Sequence, residues 1–129
     1  MAAIVSVKAG KYIFKEGDSG TSMYIVMEGV VDIHIVINGE ETNLAVMKQG
    51  DFFGEMALFR EKPRSASARV MQDVRLAVIE SRAQLEKFLC DNPLFAAKMV
   101  NIMASRLAQT NDMLFQKISE LSAKRMEYK

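Results

Sequence analysis

The chain has 129 residues, enough for one hydrophobic core and too few for two ordinary domains. Half of the residues are apolar, 26% are charged and the formal net charge is +1, which excludes a disordered chain and one that coats nucleic acid through charge. The single cysteine, Cys90, cannot form an internal disulfide, and no apolar run approaches the roughly 18 residues of a membrane span. We therefore expect one domain over residues 1–129, located in the reducing cytosol and without direct contact to nucleic acid or membrane.

The first 80 residues have the pattern of an all-β unit. All seven glycines lie at or before Gly54, and short stretches rich in β-branched and aromatic residues lie between them. The strands that this pattern predicts are 4–7, 11–14, 23–27, 30–37, 42–47, 66–71 and 74–79. Asn38-Gly39 predicts a hairpin between two of them, with Glu40 and Glu41 as residues that could lengthen its loop. A mainly β fold follows, an antiparallel β-roll or jelly roll of about eight strands over 1–80.

Residues 81–129 change to helical patterns. Ser81 followed by Gln84 is a capping-box pair, which predicts a short helix through Leu89. Asn92-Pro93 then predicts the start of a long C-terminal helix, with the proline in the first turn where its missing N–H costs nothing.

The long helix has a heptad repeat. Its two series of mostly apolar positions are Val100, Leu107, Leu114 and Leu121, and Ala97, Ala104, Asn111 and Ile118. This repeat predicts either a parallel homodimer, in which Asn111 would fix the register, or an amphipathic helix lying on the β-roll. Both alternatives stay open because about three heptads is near the minimum for a coiled coil.

Residues 50–66 combine features of an anion site. Gly54 precedes a segment, 55–59, that is short enough for one or two helical turns, whose first N–H groups attract an anion. Arg64 offers a guanidinium fork that matches a phosphate, and Ser65 adds a hydroxyl donor. Glu55 would be repelled by a phosphate but suits a ribose hydroxyl. For any one pair, a surface ion pair between Glu55 and Arg64 is the commoner explanation, and only the combination points to a cyclic mononucleotide.

The sequence Phe-Gly-Glu-Met-Ala-Leu at 53–58, followed by Pro-Arg-Ser-Ala at 63–66, resembles the phosphate-binding cassette of the cyclic nucleotide-binding domain family. Bacterial catabolite activators, cyclic-nucleotide-dependent kinases and cyclic-nucleotide-gated channels share this domain. Segments 16–18 and 22–29 resemble the early strand and turn pattern of the same family, so the resemblance covers nearly the whole chain.

The resemblance implies a role for each residue of the cassette. Gly54 and the backbone around Met56 and Ala57 would contact the cyclic phosphate, while Arg64 would pair with one of its equatorial oxygens. Glu55 would accept a hydrogen bond from the ribose 2′-hydroxyl, and Ser65 would add a hydrogen-bond donor. Ile33 and Leu44 would form the apolar lining of the sugar and base pocket. For Ile33 and Leu44, ordinary core packing is the commoner role.

The long helix also resembles the catabolite-activator branch of the family. Thr110 matches a threonine that reaches the adenine there, and Asn111 replaces the usual serine. We expect cyclic AMP as the favoured ligand because Thr110 is present, with cyclic GMP still possible because Ser65 does not discriminate between them.

These features predict a sensor that relays nucleotide binding, through movement of the C-terminal helix, to an unknown partner protein or attached domain. The alternative is a dimerisation or interaction module of the same fold that binds no nucleotide. An enzyme, a metal and a cofactor are not expected, since metal sites in small jelly rolls need two or more histidines and the chain has only His34. We expect His34 to be partly exposed or structurally bonded. The chain is either a stand-alone domain or a part of a larger protein.

Overall fold

The computed structural model describes residues 3–60 and 62–127, and their side chains as far as Ala123. The chain forms two compact units, one that ends at Asp91 and one that begins at Asn92, and the expectation of a single domain stays a prediction. The elements in chain order are β1 (Ala3–Val7), β2 (Tyr12–Phe14), β3 (Met23–Ile37), β4 (Glu40–Met47), β5 (Phe52–Phe53), α1 (Met56–Phe59), β6 (Ser67–Ile79), α2 (Arg82–Asp91) and α3 (Pro93–Glu127).

The predicted antiparallel β fold with C-terminal helices is confirmed. The strand order is β1-β6-β3-β4, with β2 also paired to β6 and β5 to β3, and every pairing is antiparallel. The long strands β3 and β6 form the centre of the sheet, and the buried cluster of the core lies along them. It comprises Val26, Val31, Phe53, Ala68, Val70, Val74 and Leu76.

The expected count of about eight strands was too high, since the described residues contain six. The predicted strands 23–27 and 30–37 are one strand, β3, and 66–71 and 74–79 are one strand, β6. Gly29, with a φ of 94°, lies where the pairing of β3 with β6 shifts register, so it marks a bulge rather than a turn. The two-residue strand β5 was not predicted.

The predicted hairpin is confirmed and its loop is shorter than expected. Asn38 and Gly39 have φ values of 53° and 83°, the combination that a two-residue type I′ turn requires. Ile37 pairs with Glu40, so Glu40 and Glu41 begin β4 instead of lengthening the loop.

A polar network lies beside this hairpin. His34 is buried, and its Nδ1 lies 2.8 Å from a carboxylate oxygen of Asp32. Arg69 donates to both carboxylate oxygens of Glu41 at 3.0 Å and to Asp32 at 3.3 Å, and the Asn43 amide also donates to Asp32. The hydrogen bond from Arg69 lowers the pKa of the Glu41 carboxyl. His34 is therefore structurally bonded, one of the two roles expected for it.

The helix starts agree with the sequence patterns. The Ser81 hydroxyl accepts a hydrogen bond from the Gln84 N–H at 3.1 Å, as predicted for an N-cap, while the Gln84 side chain accepts from the Glu80 N–H at 2.9 Å. Helix α2 extends two residues beyond the predicted end at Leu89, to Asp91. Helix α3 begins at Pro93 as predicted. None of the helices in the described ranges combines the length and the apolar character that a membrane crossing needs.

Two glycines provide a test of how backbone conformation and packing contribute to this fold. A Cβ at Gly29 would lie 2.3 Å from the main-chain oxygen of Asp73, whereas a Cβ at Gly39 would meet nothing within 4 Å. Both have positive φ, so Gly39→Ala carries only conformational strain, about 1–2 kcal/mol. Gly29→Ala adds a backbone overlap worth about 1–3 kcal/mol more. Urea unfolding should rank the two variants in this order, and equal free energies of unfolding would contradict the close approach at Gly29.

Candidate functional site

Arg64 is held against the turn that follows β2. Its N–H donates to the Asp18 carbonyl and its own carbonyl accepts from the Gly17 N–H, both at 2.8 Å. The residue is only 7% exposed although it carries a charge. These two main-chain hydrogen bonds fix the position of the Arg64 backbone, from which its side chain extends.

The guanidinium of Arg64 lies among carbonyls and aromatic rings. Nη2 donates to the Ser22 carbonyl at 2.8 Å, and Nη1 lies at a longer 3.4 Å from the Gly54 carbonyl. Cζ lies 4.2 Å from the ring centre of Phe14 and 5.9 Å from that of Tyr24, within the range of cation–π attraction. Burial lowers the pKa of the Arg64 guanidinium from its ordinary value.

The charge of Arg64 has no carboxylate in direct contact in the part of the chain that the structure describes, although the Asp18 carboxylate acts on it from a longer distance and opposes the effect of burial on its pKa. No ion pair joins Arg64 to a carboxylate among residues 3–60 and 62–127. Its Nε is buried and has no hydrogen-bond partner there. The alternative of a surface ion pair between Glu55 and Arg64 is therefore not what the structure contains.

The guanidinium of Arg64 occupies space that is open because two neighbouring residues are glycines without side chains. A Cβ at Gly20 would lie 2.8 Å from Nη2 of Arg64, and a Cβ at Gly54 would lie 2.9 Å from Nη1. Distances below 3.0 Å would force the guanidinium to move, and the hydrogen bond to Ser22 would be disturbed.

Gly54 also begins the single turn of α1. It has a φ of 78°, and its carbonyl accepts from the Ala57 N–H at 3.2 Å, while the Glu55 carbonyl accepts from the Leu58 N–H at 3.1 Å. Glu55 is the N-cap residue and is half-buried, Ala57 is buried, and the Met56 side chain is exposed. The positive end of a helical turn and the Arg64 guanidinium thus meet at Gly54.

A family model for the cyclic nucleotide-binding domain matches residues 4–91. The chain belongs to this family. The match covers the sheet from Ile4 onward, Arg64 with the residues around it, and α2, whereas Thr110 and Asn111 lie outside it.

Similar proteins include a transcription regulator and solved structures. The chain is 32% identical, over 127 residues, to the CRP-like cAMP-activated global transcriptional regulator of Mycobacterium tuberculosis, an alignment that covers 95% of this chain and 56% of the regulator. The crystal structure of Thermus thermophilus catabolite activator protein aligns with a TM-score of 0.73 at 32% identity, covering 88% of this chain and 53% of that one. The chain therefore spans about half the length of these relatives.

A third similar protein is the EAL enzyme Bd1971. Its cAMP-bound form aligns with a TM-score of 0.61 at 32% identity and covers 92% of this chain and 31% of that one. Its cGMP-bound form aligns with a TM-score of 0.62 at 31% identity and covers 91% and 31%, respectively.

The structure brings together most of the predicted cassette residues. Gly54, Glu55, Met56 and Ala57 are consecutive in the turn that Arg64 contacts, and Ser65 follows Arg64 with an exposed side chain. Their contacts with a ligand stay predictions.

The remaining predicted residues lie elsewhere. Ile33 on β3 is half-buried and packs against the core cluster, which is the commoner role considered for it, while Leu44 on β4 is 55% exposed. Thr110 and Asn111 lie on α3 in the second compact unit, where the Thr110 hydroxyl donates to the Arg106 carbonyl at 2.8 Å. Their contact with a base also stays a prediction.

Four residues around Arg64 were missed by the sequence interpretation: Phe14, Gly20, Ser22 and Tyr24. The available signal was weak. Phe14 and Tyr24 were interpreted as strand residues, and Ser22 contributes a main-chain oxygen, which leaves no trace in the residue type. Only Gly20 stood out, as a second glycine close after Gly17.

Proposed function

We propose that the chain binds a cyclic mononucleotide, with its ring phosphate between the first turn of α1 and the Arg64 guanidinium. The observation that carries this proposal is the buried charge of Arg64, which has carbonyl acceptors but forms no ion pair with a carboxylate among the described residues. A buried cation is costly unless an opposite charge accompanies it. A phosphate at this position would supply that charge.

Each polar group of the cassette has a place in this complex. The backbone at Gly54, Met56 and Ala57 would face the phosphate from the positive end of α1, and Ser65 would add a donor from its exposed position. Glu55, at the N-cap, would accept a hydrogen bond from the ribose 2′-hydroxyl. Ile33 and Leu44 would line the sugar and base side of the pocket.

Cyclic AMP is the ligand that we favour, with cyclic GMP as the second possibility. Support comes from the name of the M. tuberculosis regulator, which is cAMP-activated, and from the forms of Bd1971 with cAMP and with cGMP bound. The Thr110 hydroxyl gives a chemical reason, since its hydrogen is used on the Arg106 carbonyl and its oxygen remains an acceptor. Such an oxygen suits the amino group of adenine better than the carbonyl of guanine, and Asn111 beside it would contribute a second polar contact.

The proposed role is regulatory rather than catalytic, in the cytosol. Nucleotide binding would reposition the C-terminal helix and so signal to a partner protein or attached domain. A ligand shifts such an equilibrium only by its difference in affinity for the two states, so the helix must change the site's affinity between its positions.

Calorimetric titration of Arg64→Ala tests the central contact. Hydrogen bonds to charged groups are worth about 1.5–3 kcal/mol, so the variant should bind cyclic AMP at least about tenfold more weakly than the parent. Arg75→Ala is the matched control, because Arg75 is an exposed arginine of the same sheet whose partner is Glu28. Equal affinity in Arg64→Ala and the parent would overturn the role of Arg64.

The same titrations separate the classes of function. Equal affinity of the parent for 5′-AMP and cyclic AMP would indicate a general anion site. No binding of cyclic AMP or cyclic GMP by the parent would overturn the proposal and leave the interaction module as the function.

A second titration isolates the sugar contact. Glu55→Ala should weaken binding of cyclic AMP about tenfold or more relative to its effect on 2′-deoxy cyclic AMP, since a hydrogen bond to a carboxylate is lost only with cyclic AMP. The two ligands and two proteins form a double-mutant cycle, which removes any general effect of the Glu55 charge on the phosphate. Equal losses for both ligands would place Glu55 away from the 2′-hydroxyl.

We further propose that the chain forms a parallel homodimer through α3. The heptad residues Val100, Leu107, Leu114 and Leu121 are all more than half exposed within the chain, so this seam remains open for a second copy. Sedimentation should give twice the chain mass for the parent and for Met113→Lys, which changes an exposed residue outside the heptad series, but one chain mass for Leu114→Lys. A single-chain mass for the parent would contradict the dimer.

A further inference from the structure

Arg82, the first residue of α2, contacts the end of α1. Its Nε donates to the Leu58 carbonyl at 3.3 Å and its Nη2 to the Phe59 carbonyl at 3.2 Å. Its Cζ also lies 5.3 Å from the ring centre of Phe59. One side chain therefore joins the cassette turn to a helix that lies more than twenty residues further along the chain.

Helix α1 needs such a contact because it is a single turn. It ends at Phe59, since Arg60 has an extended conformation with φ −139° and ψ 119°. The last carbonyls of a helix lack partners within the helix, and a helix of one turn is not stable alone in water. The Arg82 fork supplies two donors to these carbonyls and places positive charge at the negative end of the turn.

The rest of α1 is weakly anchored. Ala57 is its buried residue and Leu58 is half-buried, whereas the side chains of Met56 and Phe59 are 57% and 43% exposed. A small alanine side chain buries little apolar surface, so packing alone holds the turn loosely.

The start of α2, on the other side of the contact, is better anchored than α1. Ile79, the last residue of β6, is fully buried, and Leu85, at the start of α2, is only 5% exposed. Ser81, the residue before Arg82, caps α2 by accepting a hydrogen bond from the Gln84 N–H. The backbone of Arg82 therefore lies at a packed and capped junction between strand and helix.

We infer that Arg82 is a positioning residue of the cassette, which holds α1 in place and couples any displacement of α1 to the start of α2. The inference about coupling rests on the proposed function, in which α1 meets the phosphate. A shift of the Leu58 and Phe59 carbonyls beyond what the Arg82 side chain can follow by rotating its own bonds must either break the two hydrogen bonds or displace the start of α2.

Hydrogen exchange of the unliganded chain tests the first half of this inference. The Ala57, Leu58 and Arg60 N–H groups form the hydrogen bonds of the turn, so a peptide that covers 54–60 reports on it. In Arg82→Ala this peptide should exchange about fivefold faster, equivalent to about one net hydrogen bond, with Arg82→Lys in between because an ammonium lacks the fork. The control Arg75→Ala should match the parent. Equal exchange in Arg82→Ala and the parent would overturn the positioning role.

The second half is tested with saturating cyclic AMP. In the parent, the nucleotide should slow exchange in 54–60 and also in the first turns of α2. In Arg82→Ala, the protection of 54–60 should persist, the change in α2 should disappear, and the affinity should fall about threefold to tenfold because α1 is less preorganised. Unaltered protection of α2 in Arg82→Ala would overturn the coupling.

The two proposals fail in different ways. A parent chain that binds neither cyclic AMP nor cyclic GMP contradicts the proposed function and with it the coupling. The positioning of α1 by Arg82 is still decided in that case, because its exchange measurement contains no nucleotide.

Discussion

The structure depends on how one buried cation is accommodated. The Arg64 guanidinium lies 4.2 Å from the face of Phe14 and donates to the Ser22 carbonyl, with a second and longer contact to Gly54. Partial charges of carbonyls and an aromatic face offset some of the cost of removing the charge from water, but they do not neutralise it. An anion that enters beside Gly54 meets a positive charge already oriented and desolvated, which is the arrangement that makes electrostatic recognition strong.

The β-roll provides the geometry that this cation needs. Strand β2 pairs with the start of β6, with Phe14 opposite Ala68, so the segment that follows β2 and leads to Ser22 lies beside the segment that precedes β6, with Arg64. The β3–β5 pairing positions Gly54 at the same point, directly after Phe53. The cassette and the distant segment that contains Phe14 and Ser22 thus converge on one guanidinium. Arg82 contacts the opposite end of α1, and this contact links the cassette to α2, the helical part of the family match.

Local signals in the sequence predicted local structure well. Asn38-Gly39 predicted its turn and Ser81 its helix cap, because each depends on residues within a few positions. The strand count was wrong because Gly29 is compatible with a turn and with a bulge, and only the pairing with β6 distinguishes them.

The site was predictable in part for the same physical reason. The cassette at 50–66 is contiguous, so its residue types and spacing pointed to an anion and a sugar, and the resemblance to the family supplied the roles. The surroundings of Arg64 come from distant segments and from main-chain carbonyls such as that of Ser22, which every residue type provides. The residue types gave one weak signal, the glycine at position 20, and no pattern identified the carbonyl acceptors.

The glycines of this chain constrain sequence variation in two distinct ways. Gly10 has a φ of 90° and open space around its Cα, so the restriction there concerns torsion angles, and asparagine or aspartate can replace it at modest cost. At Gly20 no unusual torsion is required, and the restriction is one of volume, because any side chain would intrude on the guanidinium of Arg64. Among homologous sequences, polar substitutions should therefore accumulate at the first position, while the second should change only together with the arginine that it accommodates.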